Sequence, residues 1–242
     1  MGTVYHTPPL VEALCEFHFE PDTPWDDTIP GLLYHELRAD FPEREQVQRL
    51  QLTVTATENV INPQFAQMSQ VRLLNSERTS LIQIAPYLLT VNRLQPYAGW
   101  DAFVAIVQRG YAAYRDIAQP LHLRGIIVRY LNQFTFAATP LALETYFNFY
   151  PYTGDNFPTM SGFAASAQFA FADARDMLLV QMRPLAEQQP QHVAIQLELS
   201  YFLNAPRAVA LDDALDWVTQ AHQHIEDIFE ACITGQLRER FA

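Results

Sequence analysis

Residues 11–20, VEALCEFHFE, alternate strictly in character. Val11, Ala13, Cys15, Phe17 and Phe19 face one way, and Glu12, Leu14, Glu16, His18 and Glu20 face the other, the period of a strand with one buried side. After the turn PDTPWDD, Thr28 suits an N-cap and Pro30 the first helical turn. A short amphipathic helix is therefore predicted over 29–40, stopped by Pro42. Residues 47–57 and 70–75 read as strands separated by a polar loop that contains Asn62 and Pro63. The stretch 79–94 reads as another strand, bent or broken at Pro86, because proline has no donor for a central ladder. A helix from about Trp100 to Ile117 then sets Phe103, Val104, Val107, Tyr111 and Tyr114 on one side, and Pro120 ends it.

From residue 121 the order begins again. Residues 121–136, LHLRGIIVRYLNQFTF, form a long strand that carries Arg124, Arg129, Tyr130 and Asn132 through an apolar run. A short helical piece, LALETYFNFY, and the loop PYTGDNFP follow, and then strand-like runs at 160–172, 176–183 and 192–203. A long helix from about Leu211 to Phe241 closes the chain, with Leu211, Leu215, Val218, His222, Ile225, Phe229, Cys232 and Ile233 on its inner stripe and Gly235 ending its regular part. The predicted fold class is α+β. Two pseudo-duplicated β-α-β-β-β-α halves, residues 1–120 and 121–242, form two antiparallel sheets or one continuous sheet, each half backed by its long helix. Nothing between residues 117 and 123 resembles a flexible linker, so the halves are expected to pack tightly.

Composition narrows the chemistry. The 242 residues carry 27 acids against 15 bases, a formal net charge of −12, and every base is arginine. A surface of that sign repels phosphate and argues against nucleic acid. The missing lysine excludes Schiff-base, lysine general-base and phosphate-loop lysine mechanisms. Cys15 and Cys232 lie far apart in apolar patterns, which fits two buried thiols rather than a disulfide framework or a zinc site. No apolar run approaches the roughly 18 residues of a membrane span. The start, MGTVYHTPPLVEALCEF, lacks the basic beginning of a signal peptide. A soluble, cytoplasmic protein without membrane partners is expected.

Four segments, PPLVEALCEFHF at 8–19, NRLQPYAGWDAF at 92–103, RGIIVRYLNQF at 124–134 and AHQHIEDIFEACITGQLRERF at 221–241, give the chain a further likeness. It resembles a sporadically distributed bacterial family that shares an N-terminal Pro-hydrophobic-x-Glu-Ala motif, a Tyr-x-Gly-Trp before a helix and an Arg-Tyr-x-Asn strand. The resemblance spans nearly the whole chain. It implies no reaction, and it suggests genes that move between genomes, often in defence-type clusters.

Several constellations of residues bear on function. Glu12, Glu16 and His18 share the polar face of the first strand, and a structural ion pair between Glu12 and Arg129 is expected to fix the two opening strands together. Parity puts Arg124, Tyr130 and Asn132 on one face of strand 121–136 and Arg129 on the other, so the arginines form one patch only if a bulge intervenes. His222 and Glu226 are one helical turn apart while His224 points elsewhere, which reads as a histidine at the core edge, with no metal site expected. Trp100, after Tyr97-x-Gly99, caps the core or forms an aromatic wall of a ligand cleft. Nine aromatics lie between 146 and 171, among them Tyr146, Tyr150 and Tyr152, more than one short helix and one strand need for a core. No nucleophile elbow, glycine-rich phosphate loop or paired-acid motif is present, so neither a catalytic residue nor a cofactor is read from the sequence. The expectation is a non-catalytic interaction or regulatory protein that binds a protein partner or a copy of itself through the sheet of one half or the 146–171 region, with an enzyme whose site is assembled from scattered residues as a third class. The alternative is a small-ligand module with a pocket between sheet and long helix, formed by Trp100, Arg124, Tyr130 and Asn132.

Overall fold

A computed structural model describes residues 5–22, 24–57, 60–137, 141–154, 156, 157, 160, 162–186 and 192–241, and of 49–57 and 60–68 only the backbone. Among the described residues, nine strands form one antiparallel sheet. In chain order they are β1 (Leu10–Phe19), β2 (Glu43–Thr57), β3 (Val60–Leu74), β4 (Ser80–Ala85), β5 (Leu88–Leu94), β6 (Leu123–Phe136), β7 (Ala165–Phe171), β8 (Asp176–Pro184) and β9 (Val193–Leu203). Their order across the sheet is β2-β3-β4-β5-β1-β6-β9-β8-β7. Of the two arrangements expected, the continuous sheet is the one formed, and its seam is the pairing of β1 with β6.

The helices are α1 (Ile29–Leu37), α2 (Trp100–Ala118), α3 (Leu143–Tyr146), α4 (Ala214–Cys232) and α5 (Gly235–Arg238). Register explains where the two long ones sit. Val91, Cys15, Val128 and Tyr201 stand opposite one another across β5, β1, β6 and β9, so they share a face. On that face Tyr111 of α2 packs against Phe17 with ring centroids 4.4 Å apart, and Trp217 of α4 packs against Tyr201 at 5.4 Å. Gly110 lets α2 approach closely, since a Cβ there would stand 3.2 Å from Ile82 and 3.3 Å from Val91. Both long helices therefore cover the same side. The buried apolar side chains of this layer form one cluster running from Phe41 and Leu73 to Val180 and Leu237.

Asp176 is one of the polar groups inside that layer. Asp176, 1% exposed, accepts hydrogen bonds from Trp217 Nε1 at 3.0 Å, Tyr201 Oη at 3.2 Å and Arg175 Nη2 at 2.6 Å. It fastens α4 to β8 and β9 through a carboxylate whose desolvation is met by three donors.

Two local expectations are corrected, at Pro63 and at the end of the last helix, and the choice left open at Pro86 is decided. Asn62 and Pro63 lie within β3 rather than in a loop, opposite Thr55 and Val54. Of β3, only Val71–Leu74 pair with β4, so Pro63 lies where β3 has no second neighbour among the described residues and its missing N–H costs nothing on that side. The break at Pro86 is complete, with β4 and β5 forming a hairpin whose turn holds Tyr87 at φ 59°. The last helix ends at Cys232, before Gly235. Ile233 is extended and bridges Phe147, and Thr234 caps α5, its Oγ1 accepting from Leu237 N at 3.3 Å.

Candidate functional site

Three places in the fold carry chemistry beyond packing. The first lies between α2 and α4. Trp100 opens α2 after Gly99, whose φ of 96° belongs to glycine. Its indole lies flat on the His222 imidazole, centroids 3.8 Å apart and planes 6° from parallel. Tyr130 Oη lies 2.8 Å from His222 Nδ1, and His222 Nε2 lies 3.3 Å from Glu226. The neutral imidazole with its proton on Nε2 satisfies both contacts, accepting from Tyr130 and donating to Glu226. Burial lowers the His222 pKa to about 4 despite the pull of Asp101, and burial likewise raises the Glu226 carboxyl. Asn132, also buried, donates to Leu197 O at 3.4 Å. Trp100 and Tyr130 thus serve the packing of the two helices on the sheet through His222, which touches both, while Asn132 ties β6 to β9.

The second place is the sheet face turned away from the helices. Arg72 Nε donates to Gln83 Oε1 at 3.0 Å, Gln83 Nε2 to Asn92 Oδ1 at 2.8 Å, and Asn92 Nδ2 to Glu12 Oε1 at 2.6 Å, a ladder across β3, β4, β5 and β1. Beyond the seam, Arg129 contacts Glu198 at 3.2 Å and Ser200 at 3.0 Å. The expected pair of Glu12 with Arg129 is not the one formed. Glu12 stands opposite Leu131 and Arg129 opposite Leu14, a diagonal offset, while Ser200 stands directly opposite Arg129 and offers the nearer partner.

At one end of this face lies an open basin of about 820 Å³ lined by Glu16, His18, Gln70, Tyr87, Arg124 and Phe202 among others. Arg124 reaches it because of a bulge. Gly125 stands opposite His18 but Leu123 opposite Phe19, so Arg124 is the extra residue and leaves the row of Tyr130 and Asn132. His18 Nε2 and Glu16 lie 3.2 Å apart in the wall. Gln70 is 1% exposed, and neither its amide nitrogen nor its oxygen has a hydrogen-bond partner. Such a group is costly to leave unmatched. Sequence parity could not find Gln70, because its burial depends on how far β3 runs beyond β4.

The third place is the aromatic segment, which the structure divides. Tyr146 packs on Phe136 at 4.6 Å, and Tyr150 packs against the core. Tyr152 is 77% exposed and Phe157 67%, with Met160 at 40% and Phe169 at 42%. These are four of the six exposed large apolar side chains among the described residues. Cys15 and Cys232 are free and buried. Among the described residues no three His, Cys, Asp or Glu side chains group as metal ligands, and no helix is long and apolar enough to cross a membrane. No protein-family model matches the chain, and no curated protein matches it.

His222 makes stability pH-dependent in a defined direction. Its imidazole titrates near 4 when folded and near the ordinary 6.5 when unfolded, so between those values the unfolded chain binds the extra proton. Stability is complete above pH 6.5 and falls as pH drops toward 4, by on the order of 3 kcal/mol from this group. Urea unfolding from pH 7 to 4 is expected to show this slope in the wild type and a flatter one in His222→Gln. Equal slopes would remove His222 as the cause.

Proposed function

We propose that the protein is a non-catalytic interaction protein, regulatory through what it binds, and that the exposed part of the aromatic segment makes the contact. The observation that carries this reading is the placement of Tyr152, Phe157, Met160 and Phe169, which hold much of their apolar surface in water although a large core is available to them. Covering such rings recovers about 25 cal/mol for each Å² removed from water. Aromatic residues and methionine are also the types enriched at protein interfaces. The link to a mobile or defence-type gene cluster rests on the family resemblance alone. In a pull-down of the native complex followed by mass spectrometry, Tyr152→Ser with Phe157→Ser is expected to reduce capture of the partner at least tenfold at an unchanged melting temperature. Recovery of the wild type alone, as a monomer carrying a small molecule, would overturn the reading.

A second reading is favoured by Gln70. The basin on the helix-free face would take a small ligand that offers both a donor and an acceptor to the buried amide, with Arg124 at the rim for a negative group. This moves the ligand site from between sheet and helix, where Trp100 and Tyr130 pack on His222, to the opposite face. Gln70→Leu is expected to raise the stability of the ligand-free protein by about 1–3 kcal/mol, since it removes an unmatched polar group. It is also expected to abolish any ligand-induced rise in melting temperature. A loss of stability in Gln70→Leu would speak against the basin as a binding site.

The strand order also supports a division into related halves, 1–120 and 121–242. Outward from the seam, β1 is followed by β5, β4 and β3, and β6 by β9, β8 and β7. A helix of 19 residues serves each side. The two fragments are expected to form a soluble 1:1 complex when co-expressed. Misfolding of both under co-expression, with the intact chain well behaved, would count against halves that are separate units.

A further inference from the structure

Strand β7 ends the sheet, with β8 on one side and, among the described residues, no strand on the other. Exposed edges are usually guarded by charge, proline or a bulge, because free N–H and C=O groups recruit other strands. The opposite edge follows that practice. Its described residues include Glu43, Arg44 and Glu45, and Arg78 pairs with both glutamates. Strand β7 has none of these guards. Its sequence is Ala-Ser-Ala-Gln-Phe-Ala-Phe, its register with β8 is regular at all seven positions, and residues 156–172 contain no charged side chain.

We propose that β7 pairs with β7 of a second copy, antiparallel, about a two-fold axis perpendicular to the sheet and passing through Gln168. The inference rests on the interaction reading above and names its partner. Three observations carry it. Two sheets joined with their helices on the same side require same-face residues opposite one another, and a two-fold at Gln168, the midpoint of β7, meets that condition with all seven positions paired. In that register Ala167 faces Phe169 of the other copy and Ala165 faces Phe171, so each large ring lies beside a small side chain. The partly exposed Phe169 ring is thereby covered, and the two Gln168 amides meet at the axis, where they can exchange hydrogen bonds. Finally, each copy carries a net charge of −12, so close approach is least opposed along an uncharged stretch of this length.

The test is cysteine cross-linking with sedimentation of the full chain. The native thiols are buried, so the wild type is expected to give no cross-link and to sediment as a dimer. Gln168→Cys is expected to give a covalent dimer with a short thiol-specific cross-linker. Ser166→Cys alone is expected to give none, yet to cross-link with Ala170→Cys when the two are mixed. Phe169→Glu is expected to weaken dimerisation at least tenfold while the circular-dichroism spectrum of the folded chain is unchanged. A wild-type monomer at every concentration, or a dimer in which Gln168→Cys fails to cross-link, overturns the self-pairing. If the wild type is a monomer while Tyr152→Ser with Phe157→Ser still loses a different captured protein, the self-pairing falls and the interaction reading stands. If that double variant changes nothing while Gln168→Cys cross-links, the wider aromatic surface falls and the strand pairing stands.

Discussion

The pairing of β1 with β6 is the contact on which the other features depend. It runs from Leu10 opposite Asn132 to Phe19 opposite Leu123, with irregularities near both ends. Because β1 also pairs with β5, it is hydrogen-bonded on both sides and sets the register of what lies beyond it. Val91, Cys15, Val128 and Tyr201 fall into one row only through this strand, and that row is the floor on which α2 and α4 rest. A slip of one residue at the seam would turn Ala13, Cys15 and Phe17 toward the wrong face. The buried Cys15 and Phe17 make such a slip costly.

Placing both long helices on one side creates a different problem on the other. There the strands present Gln83, Thr90, Asn92 and Ser200, all buried. Cross-strand hydrogen bonds resolve it for Gln83, Asn92 and Ser200. Arginine suits such a ladder, because a planar fork reaches a neighbouring amide or carboxylate with little reorganisation. Gln70 is the member left without a partner, at the basin. The helix side resolves its own polar groups through His222 and Asp176, each enclosed by aromatic rings and matched by donors or acceptors.

Much of this was legible in the chain. Alternation in 11–20 and helical spacing in 100–117 mark β1 and α2 to within a residue or two, because one-sided burial writes its period directly into the sequence. Parity also separates Arg129 from Tyr130 and Asn132 correctly. Pairwise contacts were not legible in the same way. Arg129 meets Glu198 instead of Glu12 because β9 lies next to β6, and a neighbour in the sheet is a matter of topology rather than period. Arg124 departs from its row through a single bulged residue, which leaves no mark in the alternation. The aromatic segment showed an excess of rings but not which of them the core would take. Tyr146 is taken, and Tyr152 is left outside.

The seam has a consequence for the order in which the molecule is made. The strands that meet there are separated by more than a hundred residues of chain. During synthesis β1 can pair with β5 as soon as residues 88–94 emerge, but its other edge waits until the ribosome has delivered residues 123–136. Loop closure over that distance is slow compared with hairpin formation. For that interval the nascent chain is a sheet with one flank uncovered, and the arrival of β6 covers β1 before β9, β8 and β7 extend the sheet beyond it.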